Sequence, residues 1–344
     1  MKKIVFLMAD AWACGLYRCY MPALWMNKLG LADAYCSFHG ARIGMKPTDY
    51  SLLFSQGLEN QAGLIGNGYF VSEEELFAEY AGVDVVVYQR QERGIALSHL
   101  RFMKAHGKRV YCEFDDSLTG HPIKATAKHW QSPEKVKLYT QMCEEATGVI
   151  VTNEALGSEF RRLNSNILVL PNSIDCTQYR DGRADLSIGY AGSPGHKRDF
   201  KYIAYTLSKL AKKYTMKFFG YKPDDIKVEF MGSAKIGDYP NKLSGAFSVG
   251  LSPLIRDDFS AKKSNIKWLE YSLSGIATIA EDFGPYQCIK HGEDGYLANR
   301  NWDELIEHLM TNESERERIV RNAQERIRKE YSIENTVYNW ANLL

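Results

Sequence analysis

The residue types best suited to chemistry fall in one short run, Lys263-Ser264-Asn265-Ile266-Lys267-Trp268-Leu269-Glu270. The pattern predicts a helix that ends at Gly275, with a buried strand over 276–280 directly after it. Lys263 and Lys267 are four apart and so share a helix face. A helix amino end with two ammonium groups can hold an anion. A carboxylate one turn further on, Glu270, can accept hydrogen bonds from two ribose hydroxyls. A nucleotide-sugar requires both functions. The same residues also fit a plainer reading, a solvated basic face with Glu270 paired to Lys267.

A second run, Gly192-Ser193-Pro194-Gly195-His196-Lys197-Arg198-Asp199-Phe200, follows an expected strand over 187–191. Small residues there let backbone amides approach a phosphate, and Lys197 or Arg198 adds charge; ordinary turn chemistry explains the glycines and proline equally. In the front half, Ala13-Cys14-Gly15-Leu16-Tyr17-Arg18 reads as a loop after the first strand. Arg18 there could meet a phosphate or an acceptor, or pair with a surface acid. Gln89-Arg90 and Glu113-Phe114-Asp115-Asp116 end two further strands. Asp115 and Asp116 suit a catalytic base or a cap, and alternation in a strand argues against a shared metal. His99 and His121 are candidate bases, although a lone histidine is more often structural.

The elements that would position these groups alternate strand, loop and helix. Strands are expected over 4–8, 83–88, 109–114, 148–152 and 167–170. Helices are expected over 21–29, 93–106, 134–146 and 154–163, with Gly107 ending the second. A polar stretch over 171–185 marks a domain junction. The series then restarts with strands at 187–191, 216–220, 228–231, 248–251 and 276–280, and a helix at 199–213. Such an order predicts an α/β fold with mostly parallel sheets, two Rossmann-like lobes and an interdomain cleft. The segment 285–296 reads as a turn. Ile333, Val337, Trp340 and Leu344 form one apolar helix stripe.

With 344 residues and 45% hydrophobic content, the chain can bury two cores of ordinary size. A net charge of +1 gives no global field favouring nucleic acid or acidic lipid, though a local basic groove stays open. The seven cysteines are scattered without a Cys-x-x-Cys pair, which fits reduced thiols, no zinc site and a cytoplasmic location. The apolar start, interrupted by Asp10, fits a first strand better than a signal peptide. No apolar stretch approaches the roughly 20 residues of a membrane span. Nucleophile-elbow, Walker and His-Glu-x-x-His patterns are absent, and the first loop lacks a dinucleotide fingerprint.

Taken together, the run from Gly189 to Phe200, the Lys263–Lys267 and Leu269-Glu270-Tyr271 run, and Gly275-Ile276-Ala277 resemble a GT-B glycosyltransferase of the group 1, family 4-like type. The resemblance is clearest over 187–332; Val169-Leu170-Pro171-Asn172-Ser173-Ile174-Asp175 is similar to the family's interdomain segment. More loosely, Tyr17-Arg18, Gln89-Arg90 and Glu113 with Asp115-Asp116 resemble a subgroup often encoded by bacteriophages and bacteria. The resemblance implies an acceptor-binding domain over 1–175, a nucleotide-sugar-binding domain over 176–330, and a helix over 331–344 packing back on the first. It implies that Glu270 contacts the ribose. Lys263, Lys267 and the Gly192, Ser193, His196, Lys197 turn would contact the diphosphate. Arg18, Asp115, Asp116 and His121 would lie on the catalytic side.

The activity that the resemblance implies is retaining transfer of a hexose or pentose from a nucleotide diphosphate-sugar, expected to be a UDP-sugar, with no tightly bound cofactor and no metal. The acceptor would be a surface saccharide or a hydroxymethylated pyrimidine in phage DNA. A non-catalytic nucleotide-sugar or nucleic-acid binding module, or a sugar-nucleotide epimerase, is the alternative. The sequence departs from the family at Lys262, eight positions before Glu270, where the family pattern has a first glutamate that helps hold the donor sugar. Asp257 or Asp258 could take over that role.

Overall fold

A computed structural model describes residues 1–37, 43–51, 72–92, 94–121, 128, 131–224 and 226–344. Arg93, expected to open a helix, lies outside the described residues. The chain divides into two compact units, one of residues 1–173 with 333–344 and one of residues 174–332.

Unit 1 is built on six parallel strands: β1 (Lys3–Leu7), β2 (Asp33–Ser37), β3 (Val85–Gln89), β4 (Arg109–Phe114), β5 (Gly148–Val151) and β6 (Ile167–Val169), in the order β2-β1-β3-β4-β5-β6. β1 and β3–β5 are short apolar runs, and almost every residue in them is buried, as expected for strands covered on both faces. Helices return the chain between strands. Ser132 caps Pro133–Glu145 and Asn153 caps Glu154–Phe160, each accepting an amide of the first turn. The expected strands fall within one or two residues of those observed. β2 has no counterpart among the expectations, because its sequence, Asp-Ala-Tyr-Cys-Ser, is only half apolar.

Two expectations are corrected in unit 1. Residues 13–18 do not form a loop: Ala13–Gly15 is already helical and passes through a wide turn, Leu16–Tyr20, into the helix Met21–Lys28. Asp10 starts this helix by accepting the amides of Trp12 (2.9 Å) and Gly15 (3.1 Å). The helical rotation carries Arg18 inward, so it pairs with no surface acid. The helix Ile333–Ala341 belongs to this unit, with Ile333, Val337 and Trp340 buried. Its Trp340 ring lies 5.8 Å from that of Phe6 and 5.0 Å from the Arg18 guanidinium.

Unit 2 has a second parallel sheet: β7 (Ser187–Ala191), β8 (Thr215–Phe219), β9 (Glu229–Phe230), β10 (Val249–Ser252), β11 (Ala277–Glu281) and β12 (Tyr296–Ala298), ordered β12-β11-β10-β7-β8-β9. This is the doubly wound order of a mononucleotide-binding fold, with the chain reversing direction between β7 and β10. The segment 285–296, expected as a turn only, contributes the start of edge strand β12. Asp294 in it is buried, accepting from Lys290 N (2.8 Å) and Arg326 (2.7 Å). Gly275 ends the helix Ile266–Leu273 at φ +80°, and a Cβ there would stand 2.2 Å from Asp181 Oδ1, so a side chain is excluded twice.

Candidate functional site

Ligands in doubly wound folds sit beyond the carboxyl ends of the strands, at the point where strand order reverses. In unit 2 that point lies between β7 and β10, and the sequence-predicted residues converge on it. β7 ends at Ala191, and the turn begins at Gly192. A Cβ on Gly192 would lie 2.3 Å from Tyr190 Oη and 2.5 Å from Lys267 Nζ. The absence of that atom is what lets the Lys267 ammonium reach Ala191 O, at 2.7 Å, while lying over the Tyr190 ring. Lys267 is 9% exposed. Burial lowers its pKa to about 8, with the Glu270 charge opposing and the Lys263 charge adding. An ammonium held this way is short of counter-charge, which an anionic ligand would supply.

Helix Ile266–Leu273 opens at Asn265 without a side-chain cap, because the Asn265 amide is directed to Cys288 Sγ. The first amides of that helix are therefore not occupied by a cap, the arrangement that suits an anion. Glu270 is 6% exposed and accepts from Tyr239 Oη at 3.0 Å. Tyr239 stacks flat on Phe219, the last residue of β8, at 5.6 Å and 8°. Burial, then the Glu270 charge, pushes the Tyr239 phenol well up, so it stays a donor. Glu270 and Lys267 do not pair with each other at ion-pair distance among the salt bridges of the described residues; each is held by a different neighbour.

The second run folds as a short turn of 3₁₀ helix, Pro194–His196, capped by Ser193, and continues into the helix Lys197–Leu210. Asp199 is buried and bridges the switch point. Its Oδ2 accepts from His196 Nδ1 at 2.9 Å on the β7 side, and its Oδ1 accepts from Ile255 N at 3.0 Å on the β10 side. Burial, aided by the charges of Lys267 and Lys263 and opposed by the Asp199 hydrogen bond, drops the His196 pKa to about 4, so the ring is neutral at pH 7.

The remaining residues are placed as follows. Arg198 binds Asp257 (2.6 Å) and Ser260 Oγ (3.0 Å). Lys197 pairs with Asp224 at 2.6 Å on the exposed surface. Lys263 precedes the helix instead of lying on its face, and its ammonium sits 4.9 Å from the Phe259 ring centre. Lys262 is bound to Asp258 at 2.6 Å, and Asp257 caps the helix Asp258–Ala261, so both acids near the departure position are engaged with neighbours.

Unit 1 repeats the logic. Its reversal lies between β1 and β3, and Asp10 and Arg90, just past those strands, form an ion pair at 2.9 Å. Asp115, past β4, lies 3.3 Å from Arg90. Arg90 adopts φ +36°, a conformation rare for a residue other than glycine, which the two carboxylates hold in place. Burial acts to raise the Asp115 pKa, but the Arg90 charge and a hydrogen bond from Cys14 prevail and lower it. Asp116 is half-buried next to Asp115, and His121 is half-buried, its backbone N bound to Gln131 Oε1 at 2.9 Å.

Arg18 is placed apart from them and shut off from solvent: it is 1% exposed. It donates to Glu113 (2.6 Å), Leu170 O (2.7 Å) and Asn172 Oδ1 (3.1 Å). Such a guanidinium holds the carboxyl edge of unit 1 together and has no surface for substrate. Burial raises Glu113 to about 7 against the Arg18 charge.

Asp10, Asp199 and Tyr239 take part in these sites beyond the predicted set. Asp10 and Asp199 had a signal, since each follows a strand's carboxyl end; Tyr239 had none. Among the described residues no cluster of three or more His, Cys, Asp or Glu side chains is placed to hold a metal ion, and no helix is long and apolar enough to cross a membrane. All seven cysteines are free thiols.

The class that this fold defines is GT-B, two Rossmann-like units in one chain. Residues 201–342 match the family model described as "Glycosyl transferase-like". Among solved structures, Anabaena HepE in complex with UDP-glucose is similar at TM-score 0.67 and 14% identity, over 100% of both chains. A HepE complex with UDP is similar at TM-score 0.69 and 13% identity, over 99% of each chain. The sucrose-phosphate synthase of Thermosynechococcus elongatus is similar at TM-score 0.64 and 11% identity, over 100% of this chain and 98% of that one. A search of curated proteins finds no match to this sequence.

Proposed function

We propose that the chain is a glycosyltransferase that moves a sugar from a nucleotide diphosphate-sugar to an acceptor hydroxyl, with the donor held by unit 2. The observation that carries this reading is the convergence at the carboxyl ends of β7 and β10. A buried, under-neutralised Lys267 ammonium, the Gly192 turn and an uncapped helix amino end meet there, with the Glu270 carboxylate one turn along. Lys267, with Lys263 nearby, would neutralise the diphosphate, and Glu270 would accept the ribose hydroxyls. The UDP and UDP-glucose found in HepE support a UDP-sugar as the donor.

In the reaction, the bond from the anomeric carbon to the diphosphate oxygen breaks and its electron pair stays on that oxygen. Lys267 and the helix amides stabilise the charge that develops, the preorganised electrostatics that usually dominate such catalysis. The acceptor oxygen bonds to the anomeric carbon and gives its proton to the Asp115 or Asp116 carboxylate. Asp115 and Asp116 of unit 1 are the proposed groups on the acceptor side, and Arg90 keeps Asp115 in its ionised, basic form. Retention at the anomeric carbon accords with the family resemblance. We assign the acceptor to a saccharide or a hydroxymethylated pyrimidine in DNA.

The test is nucleotide diphosphate release from a panel of nucleotide-sugars, followed by mass spectrometry of offered glycans and hydroxymethylated DNA. Transfer that falls steeply with salt marks the DNA acceptor. Release by the wild type, and a large loss in Asp115→Asn with donor binding retained, is the expected result. Binding without any release would reduce the protein to a binding module, and donor interconversion without an acceptor would make it an epimerase.

A further inference from the structure

We infer that His196 is a sugar-selecting residue: its Nε2 accepts a hydrogen bond from a hydroxyl of the transferred sugar, and Asp199 fixes it in that role. The inference rests on the reading of unit 2 as the donor site. Its starting point is the hydrogen-bond inventory of the ring. Nδ1 lies 2.9 Å from Asp199 Oδ2. A carboxylate oxygen only accepts, so Nδ1 carries the proton and donates it. In a neutral ring, Nε2 is then left with a lone pair and no hydrogen. Asp199 cannot turn away, because its other oxygen holds Ile255 N at 3.0 Å and the residue is buried. The ring is itself seated against Tyr190, 6.0 Å between centres at 61°. The side chain keeps 17% exposure, enough for one edge to meet a ligand.

The surroundings decide what that edge can meet. Lys267 and Lys263 stand close enough for their charges to disfavour a protonated imidazole. A neutral acceptor among ammonium groups repels diphosphate oxygens, which are acceptors too. Its fitting partner is an O–H donor. Glu270 is assigned the ribose hydroxyls. The remaining hydroxyls of a nucleotide-sugar next to the diphosphate are those of the sugar. His196 therefore belongs to sugar recognition, although its place in the glycine turn made it a diphosphate candidate.

The experiment is calorimetric titration of the full chain with matched pairs, a nucleotide diphosphate and its sugar conjugate, in the UDP, GDP, ADP and dTDP series. Two variants are compared with the wild type. His196→Leu keeps bulk and removes the acceptor, and His196→Gln puts a carbonyl oxygen near the position of Nε2. Affinity for the bare nucleotide is expected to stay within about twofold in both, which also shows that each is folded. Affinity for the sugar conjugate is expected to fall about three- to tenfold in His196→Leu, the worth of one hydrogen bond, and to recover in His196→Gln. Equal losses for nucleotide and conjugate in His196→Leu would make His196 a diphosphate or turn residue and overturn the inference. No loss for either would overturn it as well. A wild type that binds no pair would instead remove the donor-site reading, and the inference with it.

Discussion

Lys267 supplies the sharpest prediction, because the same burial that prepares it for an anion must weaken the empty protein. Its pKa falls from the ordinary 10.5 to about 8. That difference corresponds to about 3 kcal/mol. Below pH 8 the lysine is charged both folded and unfolded, and the whole cost is present. Between pH 8 and 10.5 the unfolded chain binds the extra proton, so stability rises with pH; above 10.5 both forms are neutral and the cost is gone. Lys267→Met keeps the stem and removes the charge, but it also removes the bond to Ala191 O, worth about 1 kcal/mol. The net expectation at pH 7 is a gain of about 1–2 kcal/mol, or roughly 2–8 °C in Tm for a unit of this size. The gap should close as pH rises from 8 to 10. Adding nucleotide diphosphate should reverse the ranking, raising the wild-type Tm and leaving Lys267→Met unmoved, with affinity lower by about 10- to 100-fold. Thermal unfolding at several pH values, with and without nucleotide, reads all of this. A Lys267→Met protein that is less stable than wild type at every pH, or one that binds nucleotide normally, would refute the reasoning.

Glu270→Gln should weaken nucleotide binding about three- to tenfold, and Tyr239→Phe should do so by less, since it removes the group that orients the carboxylate; titration with nucleotides bearing ribose or 2′-deoxyribose checks it, and the Glu270→Gln effect should vanish with the deoxy compound. Arg18→Ala should destabilise unit 1 by about 3–5 kcal/mol, because it strands the Glu113 carboxylate in the interior. Adding Glu113→Gln to Arg18→Ala should recover part of that loss in a denaturant titration, whereas independent costs that simply add would mean the two side chains are not coupled.

The legible part of the site was local. Lys267, Glu270 and Gly275 lie within one helix and its cap, so spacing alone placed them together, and the Gly192 turn followed directly from an apolar strand. What spacing could not supply was pairing set by strand order. Asp10 with Arg90 and Asp115, or Asp199 with Ile255, meet only because β3 lies beside β1 and β10 beside β7. Strand order is a long-range property with no trace in neighbouring residues. Arg18 was misjudged for a smaller reason. The run Ala13–Arg18 contains a glycine and two polar residues and looks like a loop, but Asp10 nucleates a helix there that turns the guanidinium inside. Lys263 was placed on a helix face because the helix was expected to begin before it, whereas the buried Asn265 delays the start. Tyr239 shows the limit from the other side: nothing in its neighbourhood hints at a partner 31 positions away.

The helix Ile333–Ala341 joins a sheet whose strands all precede residue 170. During synthesis, therefore, every residue of unit 2 leaves the ribosome before unit 1 can be completed. Until then Phe6 lacks the Trp340 ring that closes over it, and the Arg18–Glu113 pair lacks its aromatic cover. The nascent front half must wait with that patch uncovered, and a chain stopped before residue 333 would keep it bare.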